Sequence, residues 1–122
     1  MAKKELEFQD FPGLEWQQCE GKVPSLRERI LVRDPENGMV TRLLRFEPGT
    51  DTSPNGVLKH DFWEEVYILE GSITDLRLNR TFTKGMYACR PPGMLHGPWT
   101  TKDGCTTFEV RYTQKQALNS HH

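Results

Sequence analysis

The stretch "KHDFWEEVYILEG", residues 59–71, opens with a lysine and a histidine, places a glutamate four residues after the histidine, runs through Val, Tyr and Ile, and stops on a glycine. A short run rich in β-branched and aromatic residues that ends on Gly reads as a β-strand. Its neighbours read the same way. "SITDLRL" and "TFTKG" form two further strands joined around Asn79 and Arg80, and "GMYACRPPG" follows. Upstream, "RERILVRD" is a strand candidate, and the Pro, Asn and Gly of "DPENG" supply a tight turn into "MVTRLLRF", where Leu44 and Phe46 alternate with Leu43 and Arg45. The polar loop "EPGTDTSPNG" comes next and is expected at the surface rather than as a lid. The last strand candidate, "CTTFEVRY", alternates Phe108, Val110 and Tyr112 with Thr107, Glu109 and Arg111, and the apolar set is expected to face the core. Arg45 and Arg111 are thereby expected outside. No segment of any length carries the helix period, so the chain predicts an all-β sandwich or barrel.

Composition narrows the function classes. A chain of 122 residues is long enough for one domain that buries roughly two-thirds of its unfolded surface. With 35% apolar residues, 27% charged residues and a formal charge of −1, it has no basic excess, so nucleic acid is not an expected partner. Apolar runs such as Ile30 to Val32 and Val66 to Leu69 fall far short of the roughly 20 residues that cross a bilayer. The start "MAKKELEFQD" has no signal-peptide core, and a cytoplasmic location without a membrane partner is expected. Cys19, Cys89 and Cys105 are odd in number and far apart, which argues for plain buried or half-buried thiols. The N-terminal "ELEFQDFPGLEW" has aromatics without a period and reads equally as an edge strand, a barrel lid or a subunit contact.

Of the four histidines, His121 and His122 end the chain in "NSHH", look like a purification-tag remnant, and are set aside. His60 precedes Glu64 in the opening stretch, and His96 lies in "RPPGMLHGPW", where two prolines and a glycine shape a rigid turn. Imidazole nitrogen together with a carboxylate oxygen suits Zn, Fe, Mn or Ni. Spacing alone leaves open a polar strand end at His60 and Glu64 and a structural histidine at His96.

These residues resemble the two motifs of the cupin superfamily. In the first motif Glu64 is followed by six residues and Gly71, and three residues separate His60 from Glu64. In the second, Gly85 is followed by "MYACR", Pro91, Pro92, Gly93, "ML" and His96, a match at every position but the closing Asn, where Thr100 stands. The resemblance covers about residues 39 to 112, leaving residues 1–22 as an N-terminal extension and 116–122 as the tail. "EEVYILEGSITD", "YACRPPGMLHGPW" and "GCTTFEVRY" most resemble the subgroup that holds the cupin modules of zinc-binding anti-sigma factors and small non-haem dioxygenases cleaving diketones and aryl ketones. The fold this implies is a double-stranded β-helix, a jelly-roll-like barrel of two antiparallel sheets with a metal in its mouth. His60, Glu64 and His96 are the implied ligands, with Val66 and Ile68 continuing the inner wall on Glu64's side of the strand. Leu58 stands where the family places the first histidine of a His-x-His pair, and the loop before it is three residues longer than the usual five.

Two histidines and one carboxylate form the ligand type of non-haem Fe(II) oxygenases and of catalytic zinc alike. The expectation is a metal-dependent enzyme, dioxygenase-like and most simply using Fe(II), with Zn, Mn or Ni as other cations. Its small substrate would chelate through adjacent oxygens: a diketone, a hydroxyaryl ketone or a hydroxy or keto acid. Arg90, just before the Pro-Pro turn, is a candidate substrate anchor through a bidentate fork, with a solvent-facing strand end as the other reading. Trp63, Tyr67, Met86, Tyr87, Trp99, Phe108 and Tyr112 are candidate pocket walls, and Cys89 is a thiol within reach of the cavity. The alternatives are a noncatalytic sensor or regulatory module binding metal or a small molecule, a redox-inert isomerase or lyase, and a degenerate cupin without metal. A homodimer, paired through barrel faces and N-terminal strands, is the expected assembly.

Overall fold

The computed structural model describes residues 3–10 and 15–113. Its eight strands are β1 (Gln17–Gln18), β2 (Leu26–Arg33), β3 (Val40–Phe46), β4 (Trp63–Asp75), β5 (Arg80–Thr83), β6 (Tyr87–Arg90), β7 (Trp99–Thr100) and β8 (Cys105–Tyr112), with one 3₁₀ turn at Ser53–Asn55. All pairings are antiparallel, in the order β1-β2-β3-β8-β4-β5, and β6 and β7 also pair with β4. This is the double-stranded β-helix expected from the sequence. The tail "NSHH" and the "FPGL" of the N-terminal stretch lie outside the described residues.

β4 joins the two sheets. The sequence reading stopped one strand at Gly71 and began another at Ser72, whereas the chain runs through as a single strand. As far as Gly71 it pairs with β8 and β6; from Ser72 to Asp75 it pairs with β5 and β7. Gly71 sits at φ +80°, and a Cβ there would run into the Gly104 carbonyl oxygen, so only glycine lets the two backbones meet where the strand changes partners. The turn after β4 closes at Asn79, whose φ of 54° is one that Asn tolerates.

On β3 the alternation holds: Leu44 and Phe46 point in, opposite to Leu43 and Arg45. They join Ile68, Ile73, Trp99 and Cys105 in the apolar core, against which Leu26 and Phe82 pack. On β8 the expected sides are reversed. Thr107 and Glu109 are 2% and 4% exposed, whereas Phe108 and Val110 are half-buried on the outer face. The cause lies inside the barrel. Between β3 and β8 its interior is polar: Arg42 donates through Nε and Nη2 to Glu109 Oε1 at 3.0 and 2.8 Å and through Nη1 to Glu28 Oε1 at 2.6 Å, and Thr107 donates to Glu109 Oε2 at 3.3 Å. Burial disfavours a charged Arg42, but Glu109 and Glu28 outweigh it and raise its pKa further. Arg111 shares this parity and points inward, contrary to the exterior position expected.

The loop "EPGTDTSPNG" lies largely at the surface, as expected, and is tied from beneath to β7 and Thr101. Thr52 N–H donates to Trp99 C=O and Trp99 N–H to Thr52 Oγ1, both at 2.8 Å, and Thr101 N–H donates to Thr50 C=O at 3.0 Å. Thr50 and Thr52 are buried in consequence. The described residues of "ELEFQDFPGLEW" form no strand; the edge strand β1 follows it and pairs with β2, and the Trp16 ring lies 4.5 Å under the Arg29 guanidinium. Among the described residues no helix is long and apolar enough to cross a membrane.

Candidate metal centre

The strands enclose a cavity of about 500 Å³ whose wall includes Leu58, His60, Glu64, Arg90, His96 and Arg111. Each arrives by a different route. Glu64 stands on β4, Arg90 on β6 and Arg111 on β8, and the register sets Glu64 opposite both arginines. His60 comes from the loop before β4, its carbonyl accepting the Gly93 N–H at 2.8 Å; it lies just outside the strand. His96 comes from the loop before β7 and pairs backbone to backbone with Leu58.

His96 is buried, and its Nδ1 lies 3.3 Å from the Met94 carbonyl. A carbonyl only accepts, so Nδ1 carries the proton and Nε2 keeps its lone pair, 3.9 Å from Glu64 Oε1. Burial, with Arg90 adding to it, pushes the His96 pKa down to about 4, and the ring is neutral at pH 7. The His60 ring stacks on Phe62 at 4.5 Å and stands 4.9 Å from the His96 ring. Burial also lowers the His60 pKa, and its Nε2 is buried without a hydrogen-bond partner. Glu64 is 3% exposed; its Oε1 accepts from Arg90 Nη1 at 2.9 Å and its Oε2 from Arg111 Nε at 2.8 Å. Burial would raise this carboxyl pKa, but Arg111 and Arg90 overcome it and hold the group below the ordinary carboxylate range.

One ligand atom from each of His60, Glu64 and His96 lies within 4.8 Å of the others. Two neutral imidazoles and a carboxylate form a mixed nitrogen and oxygen donor set that fits a divalent transition cation. A cation would also give the orphaned His60 Nε2 the partner that a buried polar atom requires.

The sequence reading missed Arg111, Phe62 and the Arg42 network. Phe62 supports His60 on one side and carries the Arg111 guanidinium at 5.1 Å. The available signal for Arg111 was parity, since Thr107, Glu109 and Arg111 place polar side chains on one face of a single strand. Val66 and Ile68 do continue the inner wall, buried beside Glu64. Of the candidate wall residues, Met86, Tyr87 and Trp99 line the cavity, whereas Trp63, Tyr67, Phe108 and Tyr112 do not. Cys89 is an exposed thiol off the cavity, while Cys19 and Cys105 are buried.

The family model of the ChrR cupin-like domain matches residues 5–115. No curated protein matches the chain in sequence. Among solved structures, an RmlC-like cupin from Shewanella frigidimarina NCIMB 400 is similar at TM-score 0.69 and 18% identity, over 97% of this chain and 99% of that one. An acetylacetone dioxygenase from Acinetobacter johnsonii is similar at TM-score 0.68 and 13% identity, over 88% of this chain and 74% of that one. Rhodobacter sphaeroides SigE in complex with the anti-sigma ChrR gives TM-score 0.63 and 17% identity, over 85% of this chain and 52% of the other. At such identities the structural likeness speaks for the fold alone; the family match spans nearly the whole sequence, and the chain belongs to the ChrR cupin-like domain family.

Proposed function

We propose that His60, Glu64 and His96 hold a divalent transition cation, most simply Fe(II), and that the protein is a small metal-dependent enzyme of dioxygenase type. Its substrate is a small molecule that chelates through adjacent oxygens. The buried, unpartnered Nε2 of His60 is the observation that carries this reading, because such an atom is costly unless something binds it. When bound, the cation supplies Lewis acidity and, as iron, the electrons that dioxygen chemistry needs.

The chain's own residues prepare the site. The Met94 carbonyl fixes the His96 tautomer so that Nε2 faces inward. Arg90 and Arg111 orient the Glu64 carboxylate and keep it ionised. Arg90 has further N–H groups to anchor a substrate oxygen, and Val66, Ile68 and Trp99 keep the cavity wall apolar. The test is elemental analysis of freshly purified protein, followed by oxygen-uptake screening of chelating substrates with Fe(II) restored anaerobically. Absence of stoichiometric metal after that restoration would overturn the reading.

The family match supports a second reading, a noncatalytic binding or sensor module, which the same screen separates by metal binding without turnover. We also propose a homodimer. The exposed Tyr67 and Leu69 and the half-buried Phe108 and Val110 on the outer sheet face support it, and a monomeric mass by light scattering would count against it.

A further inference from the structure

The cavity has two unlike regions. In one, Arg90 and Arg111 share the single carboxylate of Glu64, an excess of one positive charge beside two neutral imidazoles. Each guanidinium spends one N–H on Glu64, and among the described residues no other acceptor is paired with either. Arg42, by contrast, spends its N–H groups on two carboxylates, Glu28 and Glu109, and that cluster carries one negative charge in excess. In the other region Leu44, Phe46, Ile68, Ile73, Phe82 and Trp99 form an apolar floor. Arg90 links the two, its guanidinium carbon 5.2 Å over the Trp99 ring, which meets Phe82 edge-on at 6.5 Å.

We infer that the cavity is built for an amphipathic organic anion, its carboxylate or enolate head held between Arg90 and Arg111 and its aryl or alkyl body resting on the apolar floor. A guanidinium with unfilled N–H groups in a part-buried setting is a strong donor to a carboxylate, and the fork favours a planar, two-oxygen head. A neutral ligand without a strong acceptor would leave the remaining N–H groups of Arg90 and Arg111 unfilled. A small inorganic anion would leave the floor wet. The cavity volume of about 500 Å³ accommodates a body larger than acetate or oxalate. This inference names the substrate class of the same site and rests on the reading of that site as a ligand pocket, but the arginine clamp does not depend on the cation.

The test is isothermal titration of the full chain after chelator treatment, with 4-phenylbutyrate, its neutral isostere 4-phenylbutan-1-ol, and butyrate. The expected result is that 4-phenylbutyrate binds at least about tenfold more tightly than either of the others, a difference of about 1.4 kcal/mol. Arg111→Gln should weaken 4-phenylbutyrate by about tenfold and leave 4-phenylbutan-1-ol unchanged, a split that general loss of structure would not produce. Equal binding of acid and alcohol, or loss of both together in the variant, would overturn the anionic head. Equal binding of butyrate and 4-phenylbutyrate would overturn the apolar floor. Binding of none of the three would overturn the inference as a whole. Because the protein is stripped of metal, a failed metal analysis and a failed titration are separate results.

Discussion

Leu58 lies directly across the backbone from His96: the Leu58 N–H donates to the His96 carbonyl at 2.8 Å, and the His96 N–H to the Leu58 carbonyl at 3.0 Å. Antiparallel partners that exchange both bonds carry their side chains on the same face. Leu58 lines the cavity accordingly, despite the long loop that precedes it. Leu58→His should therefore add a third imidazole beside the proposed cation and tighten metal binding by one to two orders of magnitude, about 1.5 to 3 kcal/mol. Side-by-side metal titration of the variant and the parent checks it. No gain would mean that the new ring cannot reach the ion.

Removing a proposed ligand works in the other direction. His96→Ala deletes one of three protein donors and should bring a near-stoichiometric metal content down sharply, with affinity lower by at least about tenfold. Elemental analysis of protein purified without chelator reads it. Unchanged content would remove His96 from the ligand set.

Arg90→Lys keeps a positive charge while giving up the planar fork that reaches Glu64 and the cavity. Affinity for 4-phenylbutyrate is expected to drop about tenfold, or about 1.4 kcal/mol, more than the retained charge alone would suggest. Equal affinity in the two proteins would show that Arg90 serves only Glu64.

Acid should weaken the metal-free fold through His96. Burial, with Arg90 beside it, sets this ring near pKa about 4, against about 6.5 in an unfolded chain. Between those values the unfolded chain binds a proton that the folded chain does not, so stability increases with pH across that window. Above pH ~6.5 the contribution is flat. From there down to about 4 it should cost up to about 3 kcal/mol. Urea unfolding from pH 4.5 to 7.5 measures the slope, and His96→Leu should flatten it. An unchanged slope in the variant would assign the titration elsewhere.

Much of this was legible in the sequence, and the misreadings share a cause. Gly85, the Pro91–Pro92–Gly93 turn and His96 could be read because a turn depends on residues adjacent in the chain. Glu64 could be read because its parity with Val66 and Ile68 is a local property of one strand. Arg111 could not. Alternation along "CTTFEVRY" shows that the two faces differ, but which face turns inward depends on what the barrel contains, and at that level it contains Arg42 from β3. The same holds for Gly71, whose reading as a strand end missed that a glycine also lets a strand continue past another backbone. The Arg42, Glu28 and Glu109 network joins side chains 14 and 67 residues apart, beyond any local pattern.

The placement of β4 also bears on which parts of the molecule breathe. A strand laddered to β8, β6, β5 and β7 cannot peel away from one neighbour alone, so its central amide hydrogens should exchange with solvent only when the whole barrel opens. β1, with two residues on one partner, can fray by itself. Glu64 rides on the slow-exchanging element, while His60 hangs from a loop whose backbone is tied at Gly93. Any opening of the mouth should therefore be one-sided, with amide exchange faster around His60 than around Glu64.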